Sequence, residues 1–180
     1  RGLGDVYKIQ ILREDARAAS DGGSSTDHLA EPWAVPLQEA RLSDFLAAVP
    51  GASRSAEDTA LADRVLLSGR ILDAQGRFNL TNLIVDGKAD AAALRTATRL
   101  FVQLGVSPGE LALLVQSLQA AQGATGRYPA PRQLSQLAWF GLSPQTLAVL
   151  APHVTLLPTA TPVNVNTASA EVLAASVPGL

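Results

Sequence analysis

Gly69-Arg70-Ile71-Leu72-Asp73-Ala74-Gln75-Gly76-Arg77-Phe78-Asn79-Leu80-Thr81-Asn82-Leu83 is the stretch on which the fold of this chain turns. Arg64 to Asp73 is rich in Val, Leu and Ile and predicts a strand, and Ala74-Gln75-Gly76 predicts a tight turn into a second short strand, Arg77 to Leu80. Together they predict a β-hairpin. Gly76 serves the turn, Phe78 and Leu80 face a core, and Asn79 or Asn82 bonds neighbouring backbone.

On the C-terminal side the hydrophobic period changes at Asp86 from two to about 3.6, and a string of short helices is expected. Leu94, Ala97, Phe101 and Leu104 share a face that Gly105 ends. Ser107-Pro108-Gly109-Glu110 has the form of a capping box with Pro at the first helical position, leading into Leu111, Leu114, Val115 and Leu118. A further helix spans Arg132 to Phe140 and stops at Gly141, and another starts at Ser143-Pro144 and ends before Pro152. Thr167 is placed to cap the last helix, with Glu171 in its first turn. Trp139 and Phe140, near the end of an amphipathic helix, are expected in the core, although an exposed apolar patch there would suit a binding surface.

On the N-terminal side, Asp5 caps a first helix with Val6, Ile9, Leu12 and Ala16 at helical spacing, and Ser20-Asp21-Gly22-Gly23-Ser24-Ser25 breaks it. The two prolines of Glu31-Pro32-Trp33-Ala34-Val35-Pro36 predict an extended path pinned to a core by Trp33. Pro50 to Asp63 is small and polar and reads as a surface loop. The architecture is α+β, with a helix and strands over 1–85 and a helical module over 86–180.

Composition removes several function classes. The 180 residues are 47% hydrophobic and 17% charged, a globular profile. With 14 basic and 16 acidic residues the net charge is -2, which offers no footprint for nucleic acid or an anionic membrane. Cysteine is absent, so thiol nucleophiles and thiolate-bound zinc are excluded. No apolar run reaches the ~18 to 20 residues needed to span a bilayer; the chain reads as a fragment, and if its parent has a membrane anchor, that anchor has been removed.

Catalytic patterns are equally sparse. The two histidines, His28 and His153, lie in no recognisable nucleophile setting, and no glycine loop matches a phosphate-binding pattern. An enzyme is therefore not expected. Asp27, His28 and Glu31 form the one local cluster with metal-ligand chemistry, and a solvated turn beside Trp33 is the preferred reading of it. Between Glu110 and Glu171 there is no Asp or Glu, so that stretch cannot assemble a calcium site from its own side chains.

Three segments together carry a family resemblance. His28-Leu29-Ala30-Glu31-Pro32-Trp33-Ala34, then Gly69 to Leu83, then Pro162-Val163-Asn164-Val165-Asn166-Thr167-Ala168 look like general secretion pathway protein K, a minor pseudopilin of type II secretion systems, in that order and at compatible separations. Gly69 to Leu83 is the most specific of the three. The resemblance implies a pseudopilin-like N-terminal helix, an antiparallel sheet with a large helical insert, and final strands missing from this chain. Trp33, Gly76, Arg77, Phe78, Asn79, Leu80, Asn82, Asn164, Asn166 and Thr167 are then structural motif residues.

It also implies a structural subunit at the tip of a periplasmic pseudopilus, anchored in the inner membrane through a removed upstream helix. The partners would be I-type and J-type minor pseudopilins, met through first-helix positions such as Val6, Ile9, Leu12 and Arg13, and exported proteins could be bound as well. Many members of the family carry an acidic calcium-binding stretch before a tyrosine; here Gln116 to Tyr128 has Gln, Ala and Gly instead, so no calcium or other cofactor is expected. A rival reading starts from Asn164 to Glu171 with Val177-Pro178-Gly179-Leu180, which also resembles the start of a helix-hairpin-helix DNA-binding element of competence type. Only Arg127 and Arg132 are basic between Glu110 and the end, so the electrostatic part of such a site is lacking.

Overall fold

The computed structural model describes residues 11–17, 20, 26–47, 56–122 and 129–179. The chain forms two compact units, Arg1–Leu72 and Asp73–Leu180. In the first, residues 11–17 are helical (α1). Strand β1 (Leu37–Arg41) pairs antiparallel with β2 (Leu66–Gly69), with an irregularity between Leu37 and Ala40, and helices α2 (Leu42–Ala47) and α3 (Ala56–Ala62) lie between them in sequence.

Three expectations for this part of the chain are corrected. Pro32–Ala34 is one 3₁₀ turn and not extended, because proline at the first helical position removes only an N–H that would have had no helical partner. Ala56–Ala62 is a helix where a surface loop was expected: alanine, leucine and glutamate are strong helix formers, and Ala62 is buried. The hairpin centred on Gly76 does not form. Strand β2 has β1 as its partner, and Ala74–Gly76 is a 3₁₀ turn capped by Asp73, whose Oδ1 accepts from the Gln75 N–H at 2.8 Å.

Phe78–Asn79 (β3) instead pairs in parallel with Val154–Thr155 (β6), far along the chain. Parallel pairing requires a long crossover, and almost the whole helical part of the Asp73–Leu180 unit supplies it. A hairpin does form next door: Ile84–Val85 (β4) and Lys88–Ala89 (β5) are joined by Asp86 and Gly87, with φ of 50° and 74°. Two successive left-handed residues suit a tight two-residue hairpin loop, and Asp-Gly is a favoured pair for it.

The helices follow the predicted faces. In α4 (Ala91–Gln103) the Asp90 carboxylate caps the start, accepting from the N–H groups of Ala92 and Ala93 at 3.0 and 2.8 Å, and Ala97, Leu100 and Phe101 are buried. Gly105, at φ 70°, turns the chain out of the helix. In α5 (Pro108–Gln122) the buried positions are Leu111, Leu114, Val115 and Leu118. The capping box expected at its start does not close, because Ser107 Oγ accepts from the Gly109 N–H and Glu110 turns elsewhere. The Glu110 carboxylate reaches the N-terminus of α6 (Pro144–Leu150), accepting from Thr146 Oγ1 at 2.8 Å and from the Ser143 N–H at 3.2 Å.

Leu134–Phe140 is a 3₁₀ helix ending at Gly141, φ 91°. Its apolar residues Leu134, Leu137 and Phe140 recur every third position, the period of a 3₁₀ helix. Phe140 is buried but Trp139 is 74% exposed, so the expectation that both lie in the core holds for only one of them. Helix α7 (Ala170–Ser176) packs on α4, buries Val172 and Ala175, and receives a 2.6 Å bond from Arg99 Nε at the Ala175 carbonyl. Its N-cap is Ser169 and not Thr167, whose hydroxyl is used elsewhere. Residues 73–85, grouped with the strands in the sequence reading, contribute Phe78, Leu80, Leu83 and Ile84 to the same core as the helices.

Candidate functional site

The motif residues of the deciding stretch and those of Pro162 to Ala168 meet in one polar clasp. Asp73 is a hub: Oδ1 caps the turn that follows, while Oδ2 accepts from Thr167 Oγ1 at 2.6 Å and Asn164 Nδ2 at 3.0 Å. The Asn164 N–H donates to the Gln75 carbonyl at 2.9 Å. Gly76 makes the approach possible. A Cβ there would sit 2.8 Å from the Thr167 carbonyl oxygen, and backbone cannot step aside as a flexible side chain could.

Asn79 is 1% exposed and uses both ends of its amide. Its Nδ2 donates to the Thr159 carbonyl at 2.8 Å and to Thr161 Oγ1 at 3.1 Å, and its Oδ1 accepts from the N–H groups of Leu157 and Thr81, both at 3.1 Å. Asn82 and Thr161 form a reciprocal pair, Nδ2 to carbonyl at 2.7 Å and N–H to Oδ1 at 3.0 Å. The Thr81 hydroxyl donates to the Leu157 carbonyl at 2.7 Å. The irregular segment Leu157–Thr161 thus finds side-chain partners in place of a strand ladder.

Phe78 and Leu80 are core residues. Arg77 is half-buried beside the clasp, and Asn166 is exposed, its N–H donating to Asn164 Oδ1. Trp33 is buried, and its Nε1 donates to Glu31 Oε2 at 2.6 Å. Of the first-helix positions, Leu12 is 46% exposed and Arg13 is exposed, while Val6 and Ile9 lie outside the described residues. Sequence reasoning missed Asp73, Thr81, Thr159 and Thr161. The available signals were Asp73 three residues before Gly76, a side chain able to start a turn, and Pro158-Thr159-Ala160-Thr161-Pro162, which can join no regular ladder.

Two titratable clusters stand outside the clasp among the described residues. The carboxylates of Asp15, Asp27 and Glu31 lie within 4.8 Å of one another, so the grouping read as Asp27, His28 and Glu31 gains a third acid from α1. His28 Nε2 stands 3.9 Å from Glu31 Oε1. The His28 N–H bonded to Glu31 holds that carboxyl below its ordinary value; partial desolvation opposes it, and the Trp33 bond and the His28 ring act in the same downward direction.

At the start of α7, His153 Nδ1 lies 3.3 Å from Ser169 Oγ and 3.9 Å from Glu171 Oε2. Acid and hydroxyl address the same ring nitrogen, whereas a proton relay needs one on each nitrogen. The Glu171 carboxyl is held below its ordinary value first by its own N–H, then by the Ser169 hydroxyl and the nearby imidazole, against a raising effect of desolvation.

The clasp has its donors and acceptors matched to one another, an arrangement suited to holding backbone segments together. Residues 76–159, which include the Gly76 to Asn82 half of it, match the family described as type II secretion system (T2SS), protein K. The type II secretion system protein K of Pseudomonas aeruginosa is 32% identical over 198 aligned positions, covering 96% of this chain. The chain spans 53% of the length of that relative. The chain belongs to the type II secretion system protein K family.

Proposed function

We propose that this chain is the periplasm-facing part of a structural minor pseudopilin, set at the tip of the pseudopilus and assembled there with I-type and J-type minor pseudopilins. The observation that carries this reading is the family match over 76–159, the part of the chain that contains the β3–β6 pairing and the Gly76 to Asn82 half of the clasp. Helix α1 would provide the contact to partners, since Leu12 and Arg13 leave apolar and basic surface open on it. The parent protein would reach the inner membrane through a segment preceding that helix. Among the described residues no helix is long and apolar enough to cross a membrane. The reading includes no catalytic step and no calcium bound by Gln116 to Tyr128, where the sequence has no acid to offer it.

The test is size-exclusion titration of this chain with the soluble domains of the I-type and J-type proteins, with and without a calcium chelator, beside a duplex DNA control at low salt. A stoichiometric protein complex that resists the chelator and weakens in Leu12→Asp is the expected result. Salt-sensitive DNA binding without any protein complex would overturn the reading in favour of the helix-hairpin-helix alternative.

A further inference from the structure

In the Asp73–Leu180 unit an open groove of about 580 Å³ lies between the segment that follows α5 and the segment that follows β6. Its floor is apolar and belongs to the core, through Leu80, Ile84 and Leu118. Pro129, Pro131 and Pro158 form its sides. Prolines add apolar surface and carry no N–H, so these three residues offer a ligand no donor. The Thr81 hydroxyl on the lining is committed to the Leu157 carbonyl, and the Arg132 N–H to Gln136 Oε1 at 2.7 Å.

Arg132 is the one charged residue on the lining, and it is exposed. Among the described residues no carboxylate pairs with it. The sequence explains why neighbouring segments do not supply one: there is no Asp or Glu between Glu110 and Glu171. An exposed cationic fork beside a donor-poor apolar groove is complementary to a carboxylate carried by an otherwise apolar ligand.

We propose that this groove docks an extended segment of a partner protein in which an Asp or Glu side chain is flanked by apolar residues. The carboxylate forks with Arg132, and the neighbouring side chains rest on Leu156, Leu157 and the prolines, the lining residues that keep exposed surface. The open side favours a peptide over an alkyl chain, because a peptide keeps its backbone hydrated there while an alkyl chain is best sheltered on all sides. The groove volume lies within the range of about 300 to 1,000 Å³ usual for ligand sites. The proposal goes beyond the assembly reading and does not depend on it, since it concerns residues remote in sequence from α1.

The experiment is an NMR titration of the whole ¹⁵N-labelled chain with an acetylated and amidated pentapeptide, leucine-valine-glutamate-leucine-alanine, and with its glutamine counterpart. Shifts gathered on the amides of Leu80, Leu118, Arg132 and Leu156 are expected, with affinity about tenfold lower for the glutamine peptide or for Arg132→Gln. Arg95→Gln on α4 leaves binding unchanged, and Arg132→Lys, which keeps the charge but loses the fork, falls between. Unperturbed spectra of the free variants establish that each is folded. Equal affinity for the two peptides, shifts centred elsewhere, no binding at millimolar peptide, or tighter binding of decanoate than of the peptide would each overturn the proposal.

Discussion

Asn79 shows what a single side chain does here. It is buried, it donates to two oxygens and it accepts from two N–H groups on half-buried and exposed residues, so its removal leaves four groups without their partner at the edge of the core. Buried polar groups without partners are costly, and Asn79→Ala is expected to lower stability by about 3 kcal/mol. Urea denaturation checks this as a lower midpoint at unchanged slope. The exposed Asn166, changed to Ala, should stay within about 0.5 kcal/mol of the parent. If the two variants behave alike, the clasp is not what holds Leu157–Thr161. Gly76 belongs to the same logic: its role is close approach to Thr167 and not a left-handed turn, since it is absent from the positive-φ glycines.

At the scale of elements, the helix ends carry the polar chemistry. Helix α6 draws part of its cap from α5 through Glu110, which ties the two helices across the intervening 3₁₀ helix at their N-termini, where a carboxylate is favoured by the helix dipole. Helix α7 has Glu171 in its first turn, with a folded-state pKa below the ordinary 4.5. A carboxylate with a lowered folded pKa adds stability that is fully present above the unfolded pKa and is lost as pH falls through the folded one. Acidification below about pH 4.5 should therefore destabilise the parent more steeply than Glu171→Gln, as read from urea midpoints across that window. Parallel slopes in the two proteins would remove Glu171 from the account. The 3₁₀ helix Leu134–Phe140 was half legible: a helix was expected, but the three-residue spacing of Leu134, Leu137 and Phe140 also carried its type. The Asp86-Gly87 hairpin was missed despite its turn pair, because its strands have only two residues each and show no alternation.

On the scale of the molecule, the core from Phe78 to Ala175 lies wholly inside Asp73–Leu180. A fragment of residues 73–180 is accordingly expected to unfold cooperatively by circular dichroism, with a urea midpoint close to that of the same unit in the whole chain. A broad, non-cooperative melt would show that this core is not self-sufficient. The predicted α+β class, the faces of α4 and α5, the stop at Gly105 and the family resemblance were all readable from local pattern, because hydrophobic period and helix-end chemistry act within a few residues. Pairing was not readable. Asn79 and Asn82 announced that they would bond backbone, but their partners lie about eighty residues away, and no short window contains both halves of the clasp. The same holds for β3 with β6, for Thr167 drawn from its expected cap to Asp73, and for Glu110 drawn to α6. A side chain's capacity to donate or accept is local chemistry, written in residue type; which partner it takes is settled only when packing of the apolar faces has set the distances between segments.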